Sequence, residues 1–320
     1  MINFNHLRIF YETARYMSCT KAAKNLFITQ PAVTAQLKIF EKFCGFKLFK
    51  KRGRRIHLTD EGRVLFDLAK KVFEFEREIE NTIEELQKLK RGLLRIGTTK
   101  TYARFFMPYI VQNFRCRYPG IKIFLNEGSS KDILLSLLDL KNEIGIIAMV
   151  ENYPDIEVIP FAHEELILIL PPGHPLTKEK EVSIEELMDY PLIMKEEGSG
   201  TRKIVDRLFS EKGITPNILM ETSNTEFIKQ LVKQGNGISF VVKDAVYKEL
   251  KKGVLKSRPL EGKRLFLDIS IAYLKTQPLS IAATRFLEML KQMAQGLRPG
   301  YGIRELISYL DNNLPAVSIP

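Results

Sequence analysis

The chain has 320 residues, 45% of them hydrophobic and 27% charged, with a net charge of +11 and three cysteines. That length carries two or three domains with sizeable cores, and no apolar run is long enough to span a bilayer. The amino terminus lacks the layout of a secretory signal. Cys19, Cys44 and Cys116 show no metal-ligand spacing, so a reduced, cytoplasmic protein is expected.

The charge is concentrated at one end. Residues 1–58 hold twelve basic side chains against only Glu12 and Glu41, a net of +10, which leaves +1 for the rest of the chain. A solubility device needs no such segregation, whereas a module that grips a polyanion does.

Residues 5–17 predict a first helix capped by Asn5, with Leu7, Phe10, Ala14 and Met17 facing inward. Ser18–Phe43 reads as two helices joined by a tight turn at Phe27–Ile28. Ser18 caps the first, whose stripe is Ala22, Ala23 and Leu26. Thr29 caps the second, with Pro31 in its first turn, where a missing N–H costs little. On this second helix Val33, Leu37 and Phe40 face inward. The opposite side and its flanks carry Gln30, Pro31, Thr34, Ala35, Gln36, Lys38 and Lys42. Such a helix can push its first turns against base edges, since Gln bonds adenine in two places and Thr touches a thymine methyl. The helices alone fit a small bundle with a solvated face equally well; the charge around them favours nucleic acid.

Two short alternating segments around Lys50-Lys51-Arg52-Gly53-Arg54-Arg55 predict a hairpin, or wing, whose tip lies along phosphates. His57 is isolated and reads as a wing-surface residue. A long helix begins at Thr59-Asp60-Glu61. Leu65, Val72, Ile79 and Leu86 recur every seven residues, and Leu68, Phe75, Thr82 and Leu89 follow the same period offset by three, which predicts a coiled-coil seam. At 1.5 Å per residue the helix is ~45 Å long, and its charged flanks call for a partner chain to cover the seam. The alternative is a helix packed on its own domain.

After Gly92 the texture changes. Strands at Leu93–Thr99, Ile121–Asn126 and Ile144–Val150 alternate with helices at Arg104–Arg117 and Lys131–Leu140, which implies a parallel sheet with right-handed crossovers. Further strands are expected at Glu165–Leu170, Leu192–Lys195, Ile218–Glu221, Gly237–Val242 and Leu267–Leu274. Helices are expected after Gly200, at Thr225–Gln234 and at Ile281–Ala294, and a short one at Ile303–Leu310. Two α/β lobes with a cleft between them accommodate so many strands better than one large sheet.

The run AAKNLFITQPAVTAQLKIFEK, then LFKKRGRRIHLTDEG and the heptad-patterned helix, resembles the LysR-type transcriptional regulators. LRIGTT, ELILILPPGHPL, EEGSGTR and IKQLVKQGNGISFV resemble the effector domain of the same family. The resemblance covers residues 4 to about 295. It implies an all-α/winged helix-turn-helix domain at 1–58, a coiled-coil linker and dimerisation helix at 59–91, and an α/β two-lobed periplasmic-binding-protein-like domain at 92–297. Lobe I is then 92–161 with 267–297, lobe II is 162–266, and 298–320 is a tail of no assigned role. The dimerisation residues are Leu65, Leu68, Val72, Phe75, Ile79 and Leu86. The resemblance further implies a homodimer or dimer of dimers on double-stranded promoter DNA, a small-molecule effector between the lobes, and contact with RNA polymerase. It implies no cofactor, metal, catalytic residue or membrane. Gln30, Pro31, Thr34 and Lys38 match the base-reading positions, with Thr29 and Gln36 beside them, and Lys50, Arg52, Arg54 and Arg55 fall on the wing.

Ligands in open α/β sheets sit at the carboxyl ends of strands, where helix N-termini offer N–H groups. Thr98, Thr99, Lys100 and Thr101 after one strand, and Ser129 and Ser130 after the next, meet that description. So does Gly198-Ser199-Gly200-Thr201-Arg202, with Thr222 and Asn224 as further candidates. Hydroxyls, open N–H groups, Lys100 and Arg202 make a cradle for carboxylate or phosphate. The residues alone are explained by a capped turn and a surface arginine. The resemblance, in which GSGTR-bearing members answer to small anionic metabolites, shifts the expectation to an anionic effector, with Glu196 and Glu197 opposing a strongly charged one.

Other classes fit less well. His6, His57, His163 and His174 are scattered, no Ser-His-Asp or Cys-His constellation is readable, and GSGTR lacks the lysine of a P-loop. A solute-binding protein has no use for the basic leading module, and a nonspecific nucleoid protein has none for a cleft.

Overall fold

The computed structural model describes residues 1–52, 55–148, 153–295 and 302–313, and of Arg52, Arg55 and 309–313 the backbone alone. Arg54 lies outside the described residues. The chain divides into two compact units, 1–86 and 87–320.

The first unit contains α1 (Phe4–Tyr16), α2 (Cys19–Asn25), α3 (Gln30–Cys44), β1 (Phe49–Arg52), β2 (Arg55–Leu58) and α4 (Asp60–Gln87). Asn3, not Asn5, caps α1: its side-chain Oδ1 accepts the N–H groups of Asn5 and His6. Met17 takes the left-handed conformation that ends α1 (φ 46) and is exposed instead of facing inward. Ser18 and Thr29 cap α2 and α3 by accepting from the N–H of Lys21 and Ala32, and Pro31 sits in the first turn of α3. Phe10, Val33, Phe40 and Leu48 form the core with Ala69 and Phe73 of α4.

The 28 residues of α4 present two faces. Ala69 and Phe73 are buried in the module, and the expected seam residues Leu65 and Val72 pack partly against the same core. Leu68, Phe75, Ile79 and Leu86 are exposed, joined by Val64 and Ile83, which the heptads omit. At about 100° per residue the exposed residues run along one side of the helix, from Val64 to Leu86, and Ala69 and Phe73 lie on the side next to it, so Leu65 and Val72 sit where the two sides meet.

The second unit holds β3 (Gly92–Thr99), α5 (Lys100–Phe105), α6 (Met107–Arg117), β4 (Ile121–Gly128), α7 (Ser130–Leu138), β5 (Ile144–Ala148) and β6 (Ile156–Leu170). It continues with β7 (Leu192–Lys195), α8 (Gly200–Ser210), β8 (Ile218–Thr222), α9 (Thr225–Lys233), β9 (Ile238–Val242) and α10 (Tyr247–Lys251). Last come β10 (Lys256–Arg258), β11 (Leu265–Leu274), α11 (Ile281–Gln295) and α12 (Ile303–Asn313). The single helix expected from Arg104 is two, broken at Phe106, because Pro108 has no N–H to return to the preceding turn.

The strand order is β4-β3-β5-β11-β6-β9-β7-β8, with β10 on β6. β3 runs parallel to β4 and β5 in one lobe, and β7 runs parallel to β8 and β9 in the other. The antiparallel pair β6 and β11 passes through both. The lobes are therefore stitched into one hydrogen-bonded sheet, where the sequence suggested two. The pair's register shifts between Ile269 and Ser270, which face Ala162 and Pro160, so Phe161 is left over as a bulge. One core gathers Ile96, Phe106, Phe114, Ile146 and Phe286; the other gathers Leu168, Leu192, Val205, Phe209 and Phe240.

Candidate nucleic-acid interface and ligand cleft

Gln30, Pro31 and Lys38 are exposed on α3, and Lys50 is exposed on the hairpin. Thr29 is exposed with its hydroxyl committed to the cap. Thr34 and Gln36 are half-buried, and the Thr34 hydroxyl donates to the Gln30 carbonyl at 3.1 Å. The module's two acids are spent internally. Glu12 is 8% exposed and accepts from Asn25 Nδ2 at 2.9 Å. Glu41 accepts from Lys47 Nζ (2.8 Å) and from the N–H groups of Leu48 (2.9 Å) and Phe49 (3.4 Å), which pins the hairpin to α3. Burial pushes the Glu41 carboxyl up, but these bonds outweigh it and hold it below the ordinary carboxylate value. Among the described side chains Arg15, Lys21, Lys24, Lys38, Lys42, Lys47, Lys50 and Lys51 keep the outer surface.

In the second unit the N-terminal ends of α5, α7 and α8 converge between the lobes on a cavity of about 20 Å³, lined by Thr99, Lys100, Thr101, Tyr102, Ser129, Ser130, Lys195, Glu196, Ser199, Gly200 and Thr201 among others. That is room for about one water. The cleft is closed by bonds between the lobes: Lys100 Nζ donates to Ser223 Oγ (2.6 Å), Thr101 and Thr225 share a hydroxyl bond (3.1 Å), and Lys131 N–H donates to the Gly198 carbonyl (3.3 Å). Gly200 has to be glycine: a Cβ there would stand 2.5 Å from Ala148 Cβ, so only a bare Cα lets α8 approach this closely.

The hydroxyls differ in what they have left to offer. Thr98 donates to the Ile146 carbonyl and holds the sheet. Ser129 is committed to the capping box of α7 with Asp132. Ser130, 1% exposed, lines the cavity with no hydrogen-bond partner for its Oγ among the described residues, and so does the Tyr102 hydroxyl. Neither Thr99 nor Ser199 closes the helix turn it precedes.

Arg202 corrects the sequence expectation. Its Nε donates to both carboxyl oxygens of Asp206 (2.8 and 2.9 Å), its NH1 lies 2.6 Å from Glu221, and it is absent from the cavity lining. A guanidinium one helical turn from an aspartate and across from a glutamate is already neutralised. Thr98, Gly198, Thr222 and Asn224 also lie off the lining; Asn224 caps α9 and Thr222 accepts from the Asn224 N–H. Lys100 lines the cavity as expected, and a second, more deeply buried cation there is one the sequence reading passed over, Lys195. It is 8% exposed, donates to the Ser223 carbonyl and lies 3.4 Å from Glu196. Burial lowers its pKa, Glu196 works against that, and Lys100 adds to it. A lysine closing an otherwise apolar strand, just before a helix N-terminus, was the available signal. His174 sits in a loop, accepting the Leu176 N–H and packed on Tyr190.

Residues 4–63 match the model of the bacterial regulatory helix-turn-helix proteins of the lysR family, and residues 87–295 match the LysR substrate binding domain. The HTH-type transcriptional activator CmpR of Synechocystis sp. is 38% identical over 286 residues, covering 89% of this chain and 94% of CmpR. A full-length OxyR variant from Pseudomonas aeruginosa superposes with a TM-score of 0.73 at 22% identity, covering 91% of this chain and 99% of OxyR. The regulatory domain of CcmR from Synechocystis PCC6803, solved in complex with 2-PG, gives 0.60 at 26% identity, covering 65% of this chain and 99% of that one. By sequence along nearly its whole length and by fold, the chain belongs to the LysR family of DNA-binding transcriptional regulators, a helix-turn-helix module followed by the family's effector-binding domain.

Proposed function

We propose that this regulator binds promoter DNA as a homo-oligomer and changes conformation when a small anion occupies the cleft between its lobes. Residues 1–58 read the DNA, 59–91 join the subunits, and 92–297 sense the effector. Gln30, Pro31 and Lys38 meet base edges, with Thr34 contributing its methyl, while Lys50 and the wing arginines meet phosphates. The protein acts in the cytoplasm and catalyses nothing. Among the described residues no helix is long and apolar enough to cross a membrane.

The observation that carries the effector assignment is that one cavity at converging helix N-termini is lined by a buried ammonium, Lys195, and a buried hydroxyl, Ser130, that has no partner among the described residues. Fixed donors and the two lysines, Lys195 and Lys100, suit a carboxylate or phosphate oxygen. A cavity of about 20 Å³ cannot hold such a molecule, so the lobes must part to admit it, and that movement is the switch. The compound to test first is 2-PG, which CcmR binds, with inorganic phosphate beside it. We expect 2-PG or phosphate to raise the melting temperature of the protein. Lys195→Met should weaken binding by about 10-fold or more, the worth of a charge-assisted hydrogen bond. An unchanged affinity in that variant removes Lys195 from the site, and no shift with either compound removes the anion.

A further inference from the structure

We propose that α12, which lies beyond the residues shared with the family's domain models, is a strap that holds the two lobes in their closed arrangement and so governs access to the cleft. The proposal takes its meaning from the effector reading above, but its test does not depend on it.

The helix grips both lobes at once. Ile303 (3% exposed) and Leu306 (0%) are buried in the core built around α6 and α11, and Ile307 packs against it. One residue on from Ile303, Arg304 reaches the other lobe. Its backbone N–H donates to Asp244 Oδ2 at 3.0 Å, its guanidinium lies 3.6 Å from the same carboxylate, and its central carbon sits 3.2 Å above the Tyr247 ring. Between the two, the Ile303 N–H donates to Glu164 on β6, a strand that runs through both lobes. Two of the open N–H groups at the start of α12 are thus satisfied by carboxyl oxygens from elsewhere in the fold, and the charge of Asp244 suits the positive end of a helix.

The strap is anchored where a lobe movement has to be felt. Glu164 lies just past the bulge at Phe161, the one register break in the strand pair that joins the lobes. Asp244 follows Val242, which lines the cleft. Glu164 also lies within electrostatic reach of Tyr102, another cleft residue. Burial, reinforced by Asp244, raises the Glu164 carboxyl to about 8, so at neutral pH it takes the Ile303 N–H without burying a charge. Besides α12, the described contacts between the lobes include polar ones around Ser223, Thr225 and Gly198, the Arg104–Glu226 pair at 3.6 Å, and the packing of Val242 and Ala245 into the core around α6 and α11. Parting the lobes has to draw Val242 and Ala245 out of the core that holds Leu306, and Asp244 and Tyr247 go with them, so Arg304 must let go.

The test is hydrogen exchange of the full chain, ligand-free, with and without Arg304→Glu. The reporter is the amide of Lys131, which donates across the cleft to Gly198; the control is the amides of Leu94 and Ile96 inside β3. Release of the strap should speed exchange at Lys131 by about fivefold or more and leave β3 unchanged, as expected of local opening. A smaller rise, or one that β3 matches, overturns the proposal, the latter because α12 would then be a general support of the fold. Should Arg304→Glu not fold, Tyr247→Ala, which removes the ring beneath the guanidinium, is judged by the same two readings. No anion enters the assay. A cleft that binds neither 2-PG nor phosphate leaves the result standing, and a cleft that binds them but ignores Arg304 sinks the strap alone.

Discussion

Glu41 is one of two acids in a module with twelve basic side chains, and the structure gives it a job that a surface residue does not have. Its carboxylate gathers two backbone N–H groups and an ammonium, so Glu41→Ala should destabilise the first unit by about 2 kcal/mol, measured by urea unfolding. The folded carboxyl titrates below its unfolded value. The stabilisation is therefore complete above pH 4.5 and is lost as the pH falls through the folded value, so parent and variant should converge in acid. At this scale the sequence is legible where a rule is local. Ser130 follows from the position of a strand end, and Thr29 from its cap. Arg202 was misplaced because nothing in GSGTR says that Asp206 and Glu221 already claim it, and Lys195 was missed because it hides in an apolar strand.

The helix α4 shows what periodicity can and cannot settle. The heptads are real, and the helix forms over nearly the predicted span. Which side is free depends on a neighbour far off in the chain: Tyr11 of α1, stacked on Phe66 and packed on Phe73, covers the side next to the stripe, and Leu65 and Val72 pack against the same core. The residues left to join subunits are those that stay exposed, Phe75 (65%) and Ile79 (61%) among them. Phe75→Glu with Ile79→Glu should shift the protein to monomers in sedimentation velocity and weaken promoter binding by about tenfold or more, because two half-sites are no longer held by one particle. Leu65→Ala should act on the stability of the module instead, since that side chain packs inward.

Across the whole molecule, strand and helix order in the second unit could be read from alternating apolar runs and glycine-bearing turns, and so could a cleft at the carboxyl ends of the strands. What could not be read was the length of β6, whose first half, Ile156–His163, mixes charged, polar and apolar residues and gains its regularity only by pairing with β11. The tail was opaque for a similar reason: α12 is amphipathic in sequence, but its docking partners Glu164 and Asp244 are far away in the chain. The continuity of that strand pair has a calorimetric consequence. Because β6 and β11 contribute to both cores, neither lobe can lose its structure while the other keeps a complete sheet, and the lobes should melt as one cooperative block. Differential scanning calorimetry should then resolve at most two endotherms, one for each compact unit, and a third would mean that the shared strands do not couple the lobes.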